Sequence, residues 1–192
     1  MVSVLYTQKN SIYQQLNVDC WDITRDARTF SGTNAVVCHP PCRAWGRLRH
    51  FAKPRWDEKE LAVSSIAIIR ANGGVLEHPA GSKLWSELNL PLGSATDVFG
   101  GFTISINQSW FGHRAKKNTW LYICGCSRSQ VPRLMLSFDA ITHVVGSSKK
   151  CRSKSALKEL SKKGREATPL HLANFLINIA IICNNNKKQY NG

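Results

Sequence analysis

A short run of β-branched residues that ends in two prolines constrains the fold more than any other part of the chain. Val36 and Val37 are typical of a strand buried on both faces. Pro40 and Pro41 have no backbone N–H to donate, so the strand must end before them. Cys42 then follows on a rigid loop just past the carboxyl end of a strand, where open α/β sheets hold their ligands. We predict that Cys42 is a reactive thiol; the alternative is a small buried side chain.

The same pattern, a short strand that ends at a proline, recurs after a predicted helix. Asp57 and Glu60 form a capping-box pattern that predicts a helix start, and a later glycine pair predicts its end. Residues 75–79 then predict a second strand that stops at a proline. A strand–helix–strand unit of this length is parallel and right-handed. We therefore expect Glu77 to lie beside Cys42 at one edge of the sheet.

These elements predict an α/β fold, a Rossmann-like three-layer domain with a mainly parallel sheet. Alternating residues in 102–110 and a strand pattern in 119–125 predict an antiparallel hairpin toward the C-terminal half. Residues 1–183 are interpreted as one domain, with 126–165 as a basic insertion or arm. The polar residues 184–192 are predicted to be a disordered tail.

The charge balance indicates a polyanionic partner. The chain has 26 Lys and Arg against 12 Asp and Glu, a formal net charge of +14, which favours nucleic acid first and an anionic membrane surface second. We expect DNA as the partner and no membrane, because no apolar run is expected to reach a membrane span. Seven scattered cysteines without an export signal indicate reduced thiols and a cytoplasmic location. No metal site is predicted, since the close pair Cys124 and Cys126 lacks the usual zinc spacing.

Three basic stretches are candidate nucleic-acid contacts. The loop after Cys42 mixes basic and aromatic side chains, which suits phosphate contact plus base stacking; the alternative is a solvated loop whose aromatic rings fold into the core. The second stretch is 110–118, and the third is 147–165, interpreted as a mobile arm or frayed helix. The first stretch comprises Arg43, Trp45, Arg47, Arg49, His50, Phe51, Lys53, Arg55 and Trp56.

Taken in order, these motifs resemble those of the cytosine-C5 DNA methyltransferases, closest to the compact forms of phages and prophages. Pro40-Pro41-Cys42 resembles the family's Pro-Cys loop, whose cysteine attacks the target base. Glu77-His78-Pro79 resembles the Glu-Asn-Val motif. Further similarities are Asp22-Ile23 to the acidic motif that precedes the catalytic loop, 111–117 with 120–123 to the basic motif and its strand, and 166–173 to the C-terminal motif beside the cofactor site.

The resemblance implies a methyltransferase of the phage or prophage host cytoplasm. Cys42 would add as thiolate to C6 of cytosine while Glu77 holds and protonates N3, and Arg114 or Lys117 would hold the base or its phosphate. Neighbouring arginines (Arg43, Arg47, Arg114) would lower the pKa of the thiol. The implied cofactor is S-adenosylmethionine, beside Asp22, Pro40 and Thr168. The implied DNA contacts are Arg43, Trp45, Arg47, Arg49, His113, Lys116 and Lys117.

Two departures from the family pattern keep other functions open. The family's first motif is a Phe-x-Gly-x-Gly turn that holds the cofactor, and here 6–10 contain no glycine. The Glu-Asn-Val motif is Glu-His-Pro at 77–79. The alternative function is a non-catalytic DNA-binding descendant that acts in restriction, anti-restriction or regulation. A third is an enzyme of the same fold that uses another cofactor or none.

Overall fold

One six-stranded mixed sheet forms the centre of the protein. The computed structural model describes residues 1–190 except Leu48, Met135, Leu136, Phe138 and 147–156. The sheet has the order β2-β1-β3-β4-β6-β5, in which the first four strands are mutually parallel and β6 is antiparallel to both of its neighbours. The mainly parallel sheet and the antiparallel hairpin are thus confirmed. Its strands are β1 (Ser3–Leu5), β2 (Asp19–Trp21), β3 (Val36–Cys38), β4 (Gly74–Pro79), β5 (Phe102–Asn107) and β6 (Asn118–Cys124).

The remaining elements lie around this sheet. A small parallel pair joins β7 (His143–Val144) to β8 (Lys158–Glu159). Short 3₁₀ turns cover Ile12–Gln15, Ala27–Thr29, Arg49–Phe51, Gln108–Phe111 and Arg128–Gln130. The predicted basic arm lies partly outside the described residues, and its described end forms β8 and α3. The helices are α1 (Glu58–Asn72), α2 (Leu84–Glu87), α3 (Lys162–Glu166) and α4 (Leu170–Tyr190).

Alternate residues of the strands pack into different cores. Val37 belongs to a core with Leu176 of α4, whereas Val36 belongs to a second core with Ile66 of α1. This division follows from the strand period of two, which sends successive side chains to opposite faces. Each such buried Val, Leu or Ile contributes about 1.5–3 kcal/mol relative to its exposed state. The sheet is therefore covered by α4 on one face and by α1 on the other.

The start of α1 differs from the predicted capping box. Asp57 is the N-cap residue, but its side chain makes no capping hydrogen bond to the helix. Its carboxylate instead accepts from Arg28 Nη1 and Arg55 Nε, each at 3.1 Å. Two guanidinium groups compete successfully because charge-assisted bonds are stronger than those from a neutral amide. The predicted end is confirmed, since Gly73 caps the helix at φ 78°.

The last helix is longer than the sequence indicates. The sequence predicts an end near Cys183, but α4 continues to Tyr190, so a disordered tail is wrong for 184–190. Asparagine side chains explain the extension, because they form hydrogen bonds with backbone groups of residues outside the helix. Asn184 Oδ1 accepts from Ala35 N at 2.7 Å, and Asn186 Nδ2 donates to Gly125 O at 3.0 Å. These contacts tie the polar end of the helix to the sheet.

The C-terminal region contains a stretch that is long and apolar enough to span a membrane, contrary to the prediction from the sequence. By length and composition, Lys162–Gln189 could cross a membrane, and it is the single such stretch in the described part of the chain. The apolar stripe of α4, however, packs against the sheet, with Leu172, Leu176 and Ile179 fully buried. A stripe that faces the core is typical of a helix in a soluble domain. The structure is compatible with such a protein.

Candidate active site

The carboxyl ends of three parallel strands meet at one edge of the sheet. From β1 the chain moves to β2 on one side, and β3 then lies on the other side of β1. Such a reversal leaves a crevice outside the strand ends, where open α/β sheets bind ligands. The register pairs Cys38 with Leu76, so the next residues, His39 and Glu77, continue from neighbouring strands at this edge. The Cys42 loop leaves from the same edge.

Glu77 is held through both carboxylate oxygens. His39 Nδ1 lies 3.1 Å from Oε2, and Gln108 Nε2 donates to Oε1 at 2.9 Å. On the far side of the imidazole, Tyr13 Oη lies 2.8 Å from His39 Nε2. When Nδ1 of the imidazole donates to the carboxylate, Nε2 can accept a hydrogen bond from the Tyr13 hydroxyl. The side chains therefore form one connected network, from Tyr13 through His39 and Glu77 to Gln108.

The network determines the charge of Glu77. Burial by itself would raise the pKa of this carboxyl group, but the His39 hydrogen bond and the positive charge of Lys117 outweigh it and lower the pKa to about 2. The side chain is only 12% exposed. Glu77 is therefore an ionised carboxylate at neutral pH, fixed in direction and largely shielded from water.

The hairpin formed by β5 and β6 supplies the last part of this network. Gln108 follows β5, and its backbone N–H donates to Lys117 O at 3.0 Å. Its side-chain Nε2 also donates to Thr119 Oγ1 at 3.0 Å, while Thr119 Oγ1 donates to Lys117 O at 3.3 Å. The turn of the hairpin thus delivers both the amide that holds Glu77 and the lysine whose charge stabilises it.

Cys42 is exposed at the start of its loop. Its carbonyl accepts from Trp45 N at 3.0 Å and from Gly46 N at 2.8 Å, which fixes the turn around it. Partial desolvation and, next, the negative charge of Glu77 raise the pKa of the thiol, and Lys117 acts in the opposite direction. The register of β3 and β4 brings Glu77 and the loop that carries Cys42 to the same edge of the sheet, and there the charge of Glu77 acts on the thiol. At neutral pH the free protein holds Cys42 as the thiol.

The predicted lowering of the thiol pKa by arginines is therefore wrong. Arg43 turns away to α1, where its guanidinium pairs with both carboxylate oxygens of Glu58. That ion pair satisfies Arg43 and leaves it little effect on the sulfur. Of the basic residues considered, Lys117 is the one that lowers the pKa of Cys42. The sequence could not show which cation the fold would bring to the thiol.

Trp45 anchors the start of this loop in the core. It is 2% exposed, its indole Nε1 donates to Lys59 O at 3.2 Å, and its carbonyl accepts from Lys83 N at 2.9 Å. A buried ring cannot stack on a base, which corrects its predicted role as a DNA contact. The same holds for His113, which is buried with its ring nitrogens 2.7 Å from Ala115 O and 3.3 Å from Gly164 O.

Replacing Arg43 by alanine is expected to loosen this loop. Glu58 would lose its ion-pair partner with its side chain only 3% exposed, but Arg43 is half exposed and solvent screens the pair. We expect a loss of about 1 kcal/mol in the free energy of unfolding and faster hydrogen exchange in 43–56. Arg47→Ala is the matched control, since Arg47 is exposed. Unchanged exchange in Arg43→Ala would contradict the anchoring role.

The other predicted nucleic-acid and cofactor residues are distributed along this edge. Arg47, Arg114 and Lys116 are exposed and Arg49 is half-buried, whereas Lys117 Nζ donates to Arg165 O at 3.1 Å. Pro40 is buried, and Thr168 is half-buried between α3 and α4. The carboxylate of Glu166, at the end of α3, accepts from Gln8 Nε2 at 3.2 Å. This contact joins the C-terminal segment to the chain that leaves β1.

The turn after β1 and the end of β2 are the places where a nucleotide-type cofactor would sit. Tyr6 has φ 65°, the left-handed conformation that glycine usually supplies. Its hydroxyl donates to Leu61 O at 3.1 Å, so the ring points to α1. Asp22 directly follows β2, and its Oδ1 accepts from Thr24 N at 2.9 Å and from Thr24 Oγ1 at 2.6 Å.

Sequence reasoning missed several residues of the site. His39 is not among the predicted site residues, although its spacing of two from Val37 puts it on the same strand face. Glu77 has the same relation to Val75, so the pair was detectable from the strand period. Gln108 gave no signal, because its contact depends on the hairpin turn.

Comparisons with known proteins do not assign a family. No protein-family model matches the sequence. A search of curated proteins also finds no match. Any assignment of function therefore depends on the residues at this edge of the sheet and on their geometry.

Proposed function

We propose that the chain is a cytosine-C5 DNA methyltransferase-like enzyme with a Rossmann-like catalytic domain. The observation that carries this proposal is the carboxyl edge of the sheet, where the half-buried Glu77 is held by His39 and Gln108 and the exposed Cys42 follows the neighbouring strand β3. The order of the strands supports the domain type, because it reverses at β1 as in doubly wound sheets. The location we propose is the cytoplasm of a cell that hosts a phage or prophage.

The chemistry requires both groups. C5 of cytosine is a poor nucleophile until another nucleophile adds to C6, so a thiolate is needed. Since the pKa of the Cys42 thiol is raised, its proton passes to solvent water as the base enters, and N3 of the base takes up a proton from the same water. Lys117 favours the thiolate. Glu77, with a pKa of about 2, is a poor proton donor. Its role in this proposal is to accept a hydrogen bond from the protonated N3 and so stabilise the adduct, in place of delivering the proton.

S-adenosylmethionine fits the crevice at two points and would supply the methyl group. The carboxylate of Asp22 stands just beyond β2, where an acidic residue binds ribose hydroxyls in dinucleotide sites. Tyr6, directly after β1, adopts the left-handed backbone conformation that glycine usually supplies. Pro40 and Thr168 would complete the walls of this site. DNA is the proposed substrate, with the exposed Arg47, Arg114 and Lys116 among its phosphate contacts.

The alternative is a non-catalytic DNA-binding descendant of the same fold. The raised pKa of the Cys42 thiol favours it, because a thiol that is protonated at neutral pH is a weak nucleophile. The tyrosine side chain in place of the glycine turn also favours it. Such a protein would keep the basic surface and act in restriction, anti-restriction or regulation.

Trapping the covalent complex tests the enzyme. With S-adenosylmethionine and DNA that carries 5-fluorocytosine, the adduct persists because fluorine at C5 blocks the elimination that normally releases the enzyme. We expect wild type to give a complex that survives denaturation, Cys42→Ser to give none, and the control Cys20→Ser to give it as wild type does. Absence of the complex in wild type, with DNA binding intact and no heat on titration with S-adenosylmethionine, would overturn the enzyme and support the alternative.

A further inference from the structure

The loop between Gly46 and α1 is anchored where it begins, and most of its remaining described side chains are exposed to solvent. At the base, Trp45 is buried and Arg43 is paired with Glu58. Beyond it the described side chains face solvent to a large extent. Within the described part of 46–56, the one side-chain ion pair runs from Arg55 Nε to Asp57 Oδ1 at 3.1 Å. We call the described residues of this segment, 46–47 and 49–56, the display loop.

Two aromatic rings of the display loop are almost fully exposed. Phe51 is 86% exposed and Trp56 is 93% exposed. Rings of this size bury most of their surface in folded proteins, and burial of each is worth several times the thermal energy. Both rings lie on a loop whose base is anchored, so they are held at the surface. A partner that covers them would recover that free energy.

The charge around the rings indicates what the partner is. Between positions 43 and 56 the chain contains no acidic residue. The display loop itself carries four cationic side chains, Arg47, Arg49, Lys53 and Arg55. Arg55 is paired with Asp57, but an apolar protein surface would leave the other three charges unpaired, whereas a polyanion with flat rings satisfies charge and ring together.

We propose that the display loop binds single-stranded DNA, with unpaired bases stacked on Phe51 and Trp56 and phosphates on the basic side chains. This inference rests on the proposed function and specifies its substrate, since the loop follows directly on the turn that carries Cys42. A duplex hides the faces of its bases, and opening a step for an inserted ring costs about a few kcal/mol. An unpaired strand offers the same faces without that cost.

Binding of short oligonucleotides tests the inference without any methyl transfer. We measure the anisotropy of labelled oligothymidylate, of oligouridylate and of a duplex of equal length, in the Cys42→Ser background. We expect the single-stranded DNA to bind about tenfold more tightly than the duplex. Trp56→Leu should weaken it about tenfold to a hundredfold, while Trp56→Phe stays within about threefold because a ring is kept.

The controls separate stacking from charge. Val98→Ala removes an apolar side chain that is 94% exposed on another loop, and it should leave affinity unchanged. Trp56→Leu should keep the dependence of affinity on salt, because the phosphate contacts are intact. Three results would each overturn the inference. The duplex could bind as tightly as the single strand or more tightly, oligouridylate could bind more tightly than oligothymidylate, or Trp56→Leu could leave the affinity unchanged. Failure of covalent trapping, together with no heat on titration with S-adenosylmethionine, would reject the enzyme and leave this binding site standing.

Discussion

Replacing Glu77 by glutamine is expected to lower the free energy of unfolding at pH 7 by about 3 kcal/mol. The pKa of Glu77 falls from 4.5 to about 2 on folding, and a tenfold change in an acid dissociation constant corresponds to about 1.4 kcal/mol. A glutamine at position 77 would also turn its NH₂ group toward either the Gln108 amide or the His39 ring, and both of these are hydrogen-bond donors themselves. Because the lowered pKa stabilises only the ionised form, this contribution is present above pH 4.5 and is lost as the pH falls toward 2.

Urea unfolding from pH 7 to pH 3, followed by circular dichroism, measures this effect. The difference between wild type and Glu77→Gln should shrink below pH 4.5, since wild type loses its advantage there. Glu166→Gln is the matched control, an exposed carboxylate at the same edge, and should change stability by less than about 0.5 kcal/mol. A constant difference at every pH would show that the charge of Glu77 contributes nothing.

Replacing His78 by leucine is expected to remove a second, separate acid sensitivity. His78 is fully buried against Trp85, and neither ring nitrogen has a hydrogen-bond partner among the described residues. Burial lowers its pKa from 6.5 to about 4, and the charge of Glu77 only partly opposes this. Between these values the unfolded chain binds a proton that the folded protein excludes. Wild type should therefore lose about 3 kcal/mol as the pH falls from 6.5 to 4.

The variant His78→Leu should be as stable as wild type at pH 7, or slightly more stable, because it buries no unsatisfied nitrogen. At pH 4 it should be the more stable protein by about 3 kcal/mol. His171→Gln, at an exposed position of α4, controls for the loss of a histidine and should keep the wild-type slope. A slope retained in His78→Leu would mean that another group causes it. Denaturant unfolding at half-unit pH steps measures all three proteins.

The sequence predicted the parts of the fold that depend on local patterns. The valine pair and the two prolines indicated both β3 and the loop that carries Cys42. A helix that starts near Asp57 and ends at a glycine indicated the parallel neighbour β4, which carries Glu77. Strand alternation indicated the hairpin. Each of these patterns reflects a short-range constraint, such as the missing N–H of proline or the period of two along a strand.

What depends on long-range contacts could not be predicted. Nothing in the sequence shows that Arg43 would pair with Glu58 and leave Lys117 as the cation near the thiol. The helical end of α4 depends on asparagine contacts to Ala35 and Gly125 that lie far away in the chain. Composition alone could not separate the buried ring of Trp45 from the exposed ring of Trp56.

The proposed site requires that the charge of Glu77 acts on the Cys42 thiol. Alkylation of Cys42 by iodoacetamide as a function of pH measures this interaction, with mass spectrometry to resolve each cysteine. Removing the negative charge in Glu77→Gln should lower the pKa of the thiol and speed alkylation near pH 8. Lys117→Gln should slow it, and the other cysteines serve as internal controls. The same pH profile for Cys42 in all three proteins would show that the thiol and the carboxylate do not interact, and would contradict the account.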